Sequence, residues 1–306
     1  MEKKRMLFIY NPHSGKGQMA SKLSEVLEIF SNAGYMVTVF PTNGPKHATE
    51  LVVSYMKEFD YIVCSGGDGT LHEVTEGIIS YPRDERKPCG YIPAGTVNDF
   101  ATSLSIPKDI IEAAQTVIRE DFYAYDIGST NGQCFTYFSG FGAFTDVSYE
   151  TNQTMKNLIG KMAYIMEGAK RFKDITSYHM KIIYDDVTIE DEFIFGMVGN
   201  TYSVGGFLKL SQEMVALNDG LYDGVFIRMP KNVLELQKTL VAMKEQDVTC
   251  QYLYCFHASK ITIISEEEVK WTLDGEYGGS GHKFVIENHK QAVSYAKGKE
   301  FLEEVQ

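Results

Sequence analysis

Residues 61–70, Tyr61-Ile62-Val63-Cys64-Ser65-Gly66-Gly67-Asp68-Gly69-Thr70, hold the densest chemical potential in the chain. An apolar, β-prone run breaks into two glycines, an aspartate, a third glycine and a threonine, and a helical pattern resumes at Leu71-His72-Glu73-Val74. The pattern predicts a strand, a tight turn and a helix. Glycines in such a turn let a ligand approach the exposed backbone N–H groups, and the helix directs its positive dipole end toward the turn. The chemistry expected there is binding of an anion such as a nucleotide phosphate. Asp68 would repel that phosphate unless a divalent cation lay between them. A tight turn without a ligand remains the alternative reading of these residues.

Two further segments carry similar chemistry. Asn11-Pro12-His13-Ser14-Gly15-Lys16-Gly17 follows an apolar run and resembles a phosphate loop. It is not a Walker A loop, because Gly17 stands where Ser or Thr is required and the upstream glycine is absent. Ser14 and the backbone amides could still donate to a phosphate, and Lys16 could supply a point charge. Ile92-Pro93-Ala94-Gly95-Thr96-Val97-Asn98-Asp99-Phe100 offers a hydroxyl, an amide and a carboxylate at Thr96, Asn98 and Asp99, suited to a nucleotide and a hydrated cation. Capping of a helix would explain Thr96 but not the other two.

The elements that must position these segments follow from periodicity. Between about Arg5 and Ala124, apolar runs at 6–10, 36–40, 61–65 and 90–92 alternate with helical patterns at 19–30, 47–56, 71–79 and 110–119. Alternation of this kind predicts a parallel sheet wound on both faces, with ligands beyond the carboxyl ends of its strands, and all three segments fall at such ends. From about Tyr125, strand follows strand at 134–138, 180–184, 193–199, 225–229, 252–256, 261–265, 269–273 and 284–287, interrupted by helical patterns near 155–172 and 233–244. An antiparallel sandwich or barrel is expected there. The tail at 291–305 returns to helical spacing and is expected to pack on the first domain. The resulting division is an α/β domain over 1–124, joined by 291–306, and a β-sandwich domain over 125–290.

The chain has 306 residues, more than one compact core usually serves, and is 44% hydrophobic and 23% charged. No apolar run approaches the roughly 20 residues of a membrane-spanning helix, and no signal peptide is read at Met1-Glu2-Lys3-Lys4-Arg5. A net charge of -12 opposes nucleic acid and anionic lipid over most of the surface, so any membrane contact must use a local basic patch. Cys64, Cys89, Cys134, Cys250 and Cys255 are scattered without zinc-site spacing and read as reduced packing residues of a cytosolic protein.

The three segments in this order, together with Leu273-Asp274-Gly275-Glu276 and Leu217-Asn218-Asp219-Gly220-Leu221, resemble the diacylglycerol kinase catalytic-domain family, in particular its bacterial soluble lipid-kinase branch. The turn Gly66-Gly67-Asp68-Gly69-Thr70 alone is shared with NAD kinases and, less closely, with phosphofructokinases. The resemblance implies an ATP- and Mg²⁺-dependent kinase acting on a lipid hydroxyl, with an NAD-kinase/phosphofructokinase-like first domain. It implies that Asn11, Thr42 and the segment Gly66, Gly67, Asp68, Gly69, Thr70, Leu71 and His72 bind ATP, with Thr96 contributing. Asp68 would organise Mg²⁺ with Asp99 through water, and Lys16 would screen phosphate charge. Asp274 would accept the proton of the lipid hydroxyl, supported by Glu276, in a cleft whose closure excludes water. A structural metal would rely on Asp219 and the carbonyls of Ala216 and Leu221. Two positions depart from the family: His72 stands where Asn is common, and Ala216 where some members carry an acid. Read without the family, Asp274-Gly275 is equally a two-residue hairpin turn.

Residues 156–173 combine Leu, Ile, Met and Tyr at helical spacing with five basic residues and Glu167, which makes them a candidate interfacial helix for peripheral membrane contact or a core-facing one. His179 and His257 lie in strand patterns and are read as structural. Exposed strand edges in the second domain would permit a homodimer. Two other functions stay open: an NAD-kinase-like small-molecule kinase, and a catalytically silent lipid-binding regulatory protein on the same scaffold.

Overall fold

The computed structural model describes residues 3–95, 98–142, 175–200, 203–204, 208–209, 216–245 and 247–301, and leaves the side chains of Lys16, Asp99, Lys244 and residues 203–204 and 208–209 outside that description. The expected interfacial helix at 156–173 lies outside the described residues, as does Thr96. The chain divides into two compact units, 1–126 with 291–306, and 127–290.

The first unit is α/β. It runs β1 (Arg5–Tyr10), α1 (Gln18–Asn32), β2 (Met36–Pro41), α2 (His47–Tyr55), β3 (Tyr61–Gly66), α3 (Asp68–Ile79), β4 (Cys89–Pro93), α4 (Asp99–Ser103), α5 (Ile110–Val117) and the start of β5 (Phe122–Thr130). β1 pairs in parallel with β2 and β3, and β3 with β4, giving the order β2-β1-β3-β4. Every residue of β3 and β4 is buried, as expected of parallel strands covered on both faces. α1 turns Met19, Val26 and Phe30 inward, and α3 turns Leu71, Val74 and Ile78 inward, the spacing of a helix with one apolar stripe. α2 and α3 pack closely because Gly77 leaves room for Val52, whose Cβ would lie 2.6 Å from an added methyl. Asp109 caps α5, accepting from the N–H groups of Ile111 and Glu112 at 2.9 and 3.0 Å.

The second unit is strand-rich. Its elements are β6 (Gln133–Phe135), β7 (Phe138–Gly142), β8 (Tyr178–Tyr184), β9 (Val187–Gly199), the short pair β10 (Ser203–Val204) and β11 (Leu208–Lys209), β12 (Tyr222–Arg228), α6 (Val233–Glu245), β13 (Leu253–Ala258), β14 (Lys260–Leu273) and β15 (Glu276–Ala296). β9 pairs antiparallel with β12, and β12 with β13. β7 and β8 each pair with both β9 and β14, and β14 pairs with β15. Alternation along β12 sends Tyr222 and Phe226 to one apolar cluster, with Trp271 and Phe193, and sends Val225 and Ile227 to another, under Leu236 and Met243 of α6.

Two expectations are corrected. The tail does not begin as a helix: residues 291–296 are the end of β15, and Tyr295 pairs in parallel with Cys89 of β4. Ala292, Val293, Tyr295 and Ala296 are all buried. A strand buried on both faces loses its alternation, and these four positions then imitate the i, i+1, i+3, i+4 stripe of a helix. The strands expected at 261–265 and 269–273 are one strand, β14, whose pairing with β15 shifts register between Ile264 and Val269. The acidic run Glu266-Glu267-Glu268 that broke the hydrophobic pattern occupies that irregularity.

Candidate active site

In the first unit, parallel pairing sets the carboxyl ends of four strands along one edge: Tyr10 lies beside Pro41 and Ser65, and Gly66 beside Pro93. The segments that follow these strands are stitched together by main chain. Asn11 N–H donates to the Ser65 carbonyl at 2.8 Å, Thr42 N–H to Tyr10 at 2.8 Å, and Ala94 N–H to Gly66 at 2.8 Å. Glycine makes the approach possible at two points. A Cβ on Gly15, whose φ is +56°, would stand 2.1 Å from the Ala94 carbonyl oxygen, and one on Gly95 would stand 2.6 Å from the Gly67 Cα.

Asp68 opens α3, where a carboxylate is favoured by the helix dipole. Its Oδ2 accepts from the Asn98 N–H at 3.1 Å. Gly67 precedes the helix, and among the described residues no side chain caps its N-terminus. Asn98 is buried in the left-handed conformation at φ +56°. Its amide turns inward: Oδ1 accepts from Gly95 N–H at 3.0 Å and faces the Tyr91 hydroxyl at 3.2 Å, while Nδ2 donates to the Gly95 carbonyl at 2.8 Å. Tyr91 also donates to the Gly66 carbonyl at 3.1 Å. Burial, and after it the Asp68 charge, push the Tyr91 hydroxyl well above its ordinary pKa, so it stays a donor. Tyr91 and Asn98 therefore tie the third segment to the first. The Asn98 amide thus bonds within its own segment through Oδ1 and one Nδ2 proton.

Asn11, Ser14, Thr42, Gly67, Asp68 and His72 are half-buried and Gly69 is exposed, whereas Gly66, Thr70 and Leu71 are buried. The former reach the surface; the latter lie inside the turn. Asn11 Oδ1 accepts from His13 N–H at 2.9 Å, which fixes the loop leading to Ser14. Lys16 lies in the 3-10 turn Ser14–Gly17, and Asp99 is the first residue of α4. Glu73, which sequence reasoning passed over, accepts from the N–H groups of Lys46 and Ala48 at 2.8 and 3.1 Å and so anchors the start of α2 just beyond Thr42. Its place on α3, five residues beyond Asp68, was the signal the sequence offered.

In the second unit, Asp274 and Gly275 have φ of +49° and +91° and join the paired residues Leu273 and Glu276. This is a two-residue hairpin with both central residues at positive φ. The Asp274 carboxylate is also held from outside the hairpin. Oδ2 accepts from Thr136 N–H at 2.7 Å and Thr136 Oγ1 at 2.9 Å, and Oδ1 from the N–H groups of Tyr137 and Phe138 at 2.8 and 3.0 Å. Glu276, the first residue of β15, is exposed. Nothing local in sequence links residues 136–138 to Asp274.

A divalent cation at Asp68 fits the donors present. Asp68 brings one carboxylate to the turn, and Mg²⁺ is commonly held by one or two carboxylates with substrate phosphates and water. Asp219 Oδ1 accepts from its own Leu221 N–H at 2.8 Å, the Leu221 carbonyl accepts from Asn288 at 3.3 Å, and Ala216 adds only backbone. Close by, burial pushes Asp223 up to about 6; His257, 2.7 Å away, opposes that rise and Asp219 adds to it.

The comparisons with known proteins bear on this geometry. Residues 5–130 match the family model described as diacylglycerol kinase catalytic domain. A diacylglycerol kinase of Bacillus subtilis (strain 168) is 35% identical over 278 residues, covering 90% of this chain and 91% of that one. One from Staphylococcus carnosus (strain TM300) is 33% identical over 279 residues, 90% of each. The crystal structure of a diacylglycerol kinase from Bacillus anthracis str. Sterne superposes with a TM-score of 0.75 at 25% identity, covering 99% of this chain and 100% of that one. Identity of this extent over nearly the full length of both partners places the chain in the diacylglycerol kinase family.

Proposed function

We propose that this chain is an ATP- and Mg²⁺-dependent lipid kinase, transferring the γ-phosphate of ATP to the hydroxyl of diacylglycerol or a related lipid and giving a phospholipid such as phosphatidic acid. The observation that carries this reading is the gathering of three strand-end segments around the uncapped N-terminus of α3, with Asp68 at its first position, in a member of this family.

In this reading residues 1–124 with 291–306 form a doubly wound nucleotide-binding domain, and 125–290 an antiparallel sandwich that receives the lipid. Asn11, Ser14, Thr42, Gly67, Gly69 and His72 contact the nucleotide from the half-open edge of the parallel sheet, with Lys16 and Thr96 adding a charge and a hydroxyl. Gly66, Thr70, Leu71 and Asn98 hold the turn in shape. Asp68, with Asp99 through water, would hold Mg²⁺, which would supply neutralisation of the charge that grows on the phosphates. Asp274 accepts a hydrogen bond from the lipid hydroxyl and then its proton, and Glu276 supports it. Phosphoryl transfer asks little covalent chemistry of the protein, so positioning by these groups supplies most of the acceleration. A lipid acceptor carries peripheral contact with the cytoplasmic membrane surface into the reading. Among the described residues no helix is long and apolar enough to cross a membrane.

The test is transfer of labelled γ-phosphate from ATP, with Mg²⁺, to a panel of lipids in mixed micelles, beside Asp68→Ala and Asp274→Asn. Transfer to one lipid class, lost in both variants, is expected. Phosphorylation of NAD with none of any lipid, or lipid binding without turnover, would replace this reading by the corresponding alternative.

A further inference from the structure

Among the described residues four hydrogen-bond donors converge on the Asp274 carboxylate, and Thr136 supplies two of them. The hairpin returns the contact, since Asp274 N–H donates to the Phe138 carbonyl at 2.9 Å. The turn between β6 and β7 and the β14–β15 hairpin are thereby locked side by side, and pairing of Leu273 with Ser139 continues the lock into the sheet. A buried hydroxyl chain braces it: Trp271 Nε1 donates to Ser139 Oγ at 2.6 Å, and Ser139 Oγ meets Thr130 Oγ1 at 2.6 Å. Three of the four donors to Asp274 are backbone N–H groups whose directions the turn dictates. The fourth, Thr136 Oγ1, is a hydroxyl on a buried side chain that is 4% exposed, and of these four it is the one that can turn its proton away without moving the main chain.

A two-residue hairpin needs none of this. Asp-Gly serves such a turn through its φ values, and a turn aspartate ordinarily bonds its own backbone two residues on rather than a distant segment. Three consecutive N–H groups and a hydroxyl, contributed from 136–138 residues away in the chain, fix the direction of the two carboxylate oxygens instead.

We infer that Thr136 is a positioning residue for phosphoryl transfer: its hydroxyl holds Asp274 Oδ2 in the direction from which it meets the acceptor hydroxyl, and yields that oxygen when the acceptor arrives. The inference rests on the reading of Asp274 as the group that accepts the lipid proton. No bond to Thr136 is made or broken; the proton passes from the lipid hydroxyl to the Asp274 carboxylate while the lipid oxygen takes the γ-phosphoryl group and ADP leaves. Thr136 changes only the geometry of the acceptor. Its loss lowers kcat and spares the binding of either substrate, the signature of an interaction needed at the reacting centre alone.

The experiment measures kcat per folded enzyme, and KM for ATP and for diacylglycerol in mixed micelles, in the intact chain and in Thr136→Val, Thr136→Ser and Asp274→Asn. Thr136→Val removes the hydroxyl at nearly constant volume; it is expected to lower kcat by about ten- to a hundredfold, the scale of one hydrogen bond to a charged group, with both KM values held within about twofold. Thr136→Ser restores the hydroxyl and is expected to recover most of the rate. Thr136→Ala serves if the valine does not fold. An unchanged kcat in the variant without a hydroxyl, or a serine variant as slow as the valine, would overturn the inference and leave the kinase reading standing. Full activity of Asp274→Asn would instead sink the proton-acceptor reading, and the inference with it.

Discussion

At the carboxyl edge of β1, β2, β3 and β4 the surface is made by main chain: Gly15 against Ala94, Gly95 against Gly67, and carbonyls and N–H groups passed from one strand end to the next. At the tip of the β14–β15 hairpin it is made by one carboxylate gripped by four donors. The first arrangement has no room for added atoms, whereas the second cannot spare the ones it has. The proposed roles would account for the contrast, because a polyanion is gripped by many N–H dipoles at once, while proton acceptance needs one oxygen in one direction.

The largest effect that could break this contrast concerns the two aspartates. Asp274→Asn is expected to cut lipid phosphorylation by about 10²- to 10⁴-fold, the range of general base contributions, while ATP affinity measured by calorimetry stays within about twofold. Asp68→Ala should weaken binding of the Mg²⁺ nucleotide itself. If both variants lost nucleotide binding alike, the division of labour between the two clusters would be wrong.

How much of this was legible in sequence follows the same division. α1, α2, α3 and α5 fall where 3.6-residue spacing places them, and the glycine turn before Asp68 could be read because strand, turn and helix are contiguous. Bonds between distant segments were not legible. Tyr91 read as one more apolar strand residue, and its hydroxyl contacts with Gly66 and Asn98 depend on how β3 and β4 lie together. Asn98 looked like a ligand group because its type is polar; only the left-handed backbone at that residue turns the amide inward. The grip on Asp274 spans more than 130 residues of chain. At 291–296 periodicity itself misled, since burial on both faces of a strand erases the alternation that identifies one.

Adding or removing single groups sharpens the contrast on a smaller scale. Gly95→Ala and Gly15→Ala each force a methyl against backbone and should cost about 1–3 kcal/mol in urea unfolding, with KM for ATP raised. Full stability in both would mean the first cluster is looser than its geometry indicates. In the second unit, Trp271→Phe removes the N–H that Ser139 receives in a fully buried setting and should cost about 1–2 kcal/mol. It should also lower kcat more than KM, through the bracing of the Asp274 grip; an equal change in both would detach Trp271 from that role.

The smallest effect compares the two edges of the parallel sheet of the first unit. Opposite the strand-end segments, Lys4 before β1 and Tyr35 before β2 converge on Glu120, with Lys4 Nζ donating at 2.8 Å and the Tyr35 hydroxyl donating to the same carboxylate. The Lys4 hydrogen bond, then the Tyr35 one, hold Glu120 below the ordinary carboxylate pKa of 4.5. A folded-state value below the unfolded one means that the contribution to stability is complete above about 4.5 and is lost as pH falls through the depressed folded value. Lys4 is largely exposed, so Glu120→Gln should cost less than about 1 kcal/mol at neutral pH and less still at high salt. The gap between the urea midpoints of variant and parent should close as pH falls below 4.5. Turnover should not change, because the amino ends of these strands hold a framework and the carboxyl ends hold the ligand. A gap that stayed constant with pH would show that Glu120 acts through packing rather than charge, and a loss of turnover would couple the two edges of the sheet.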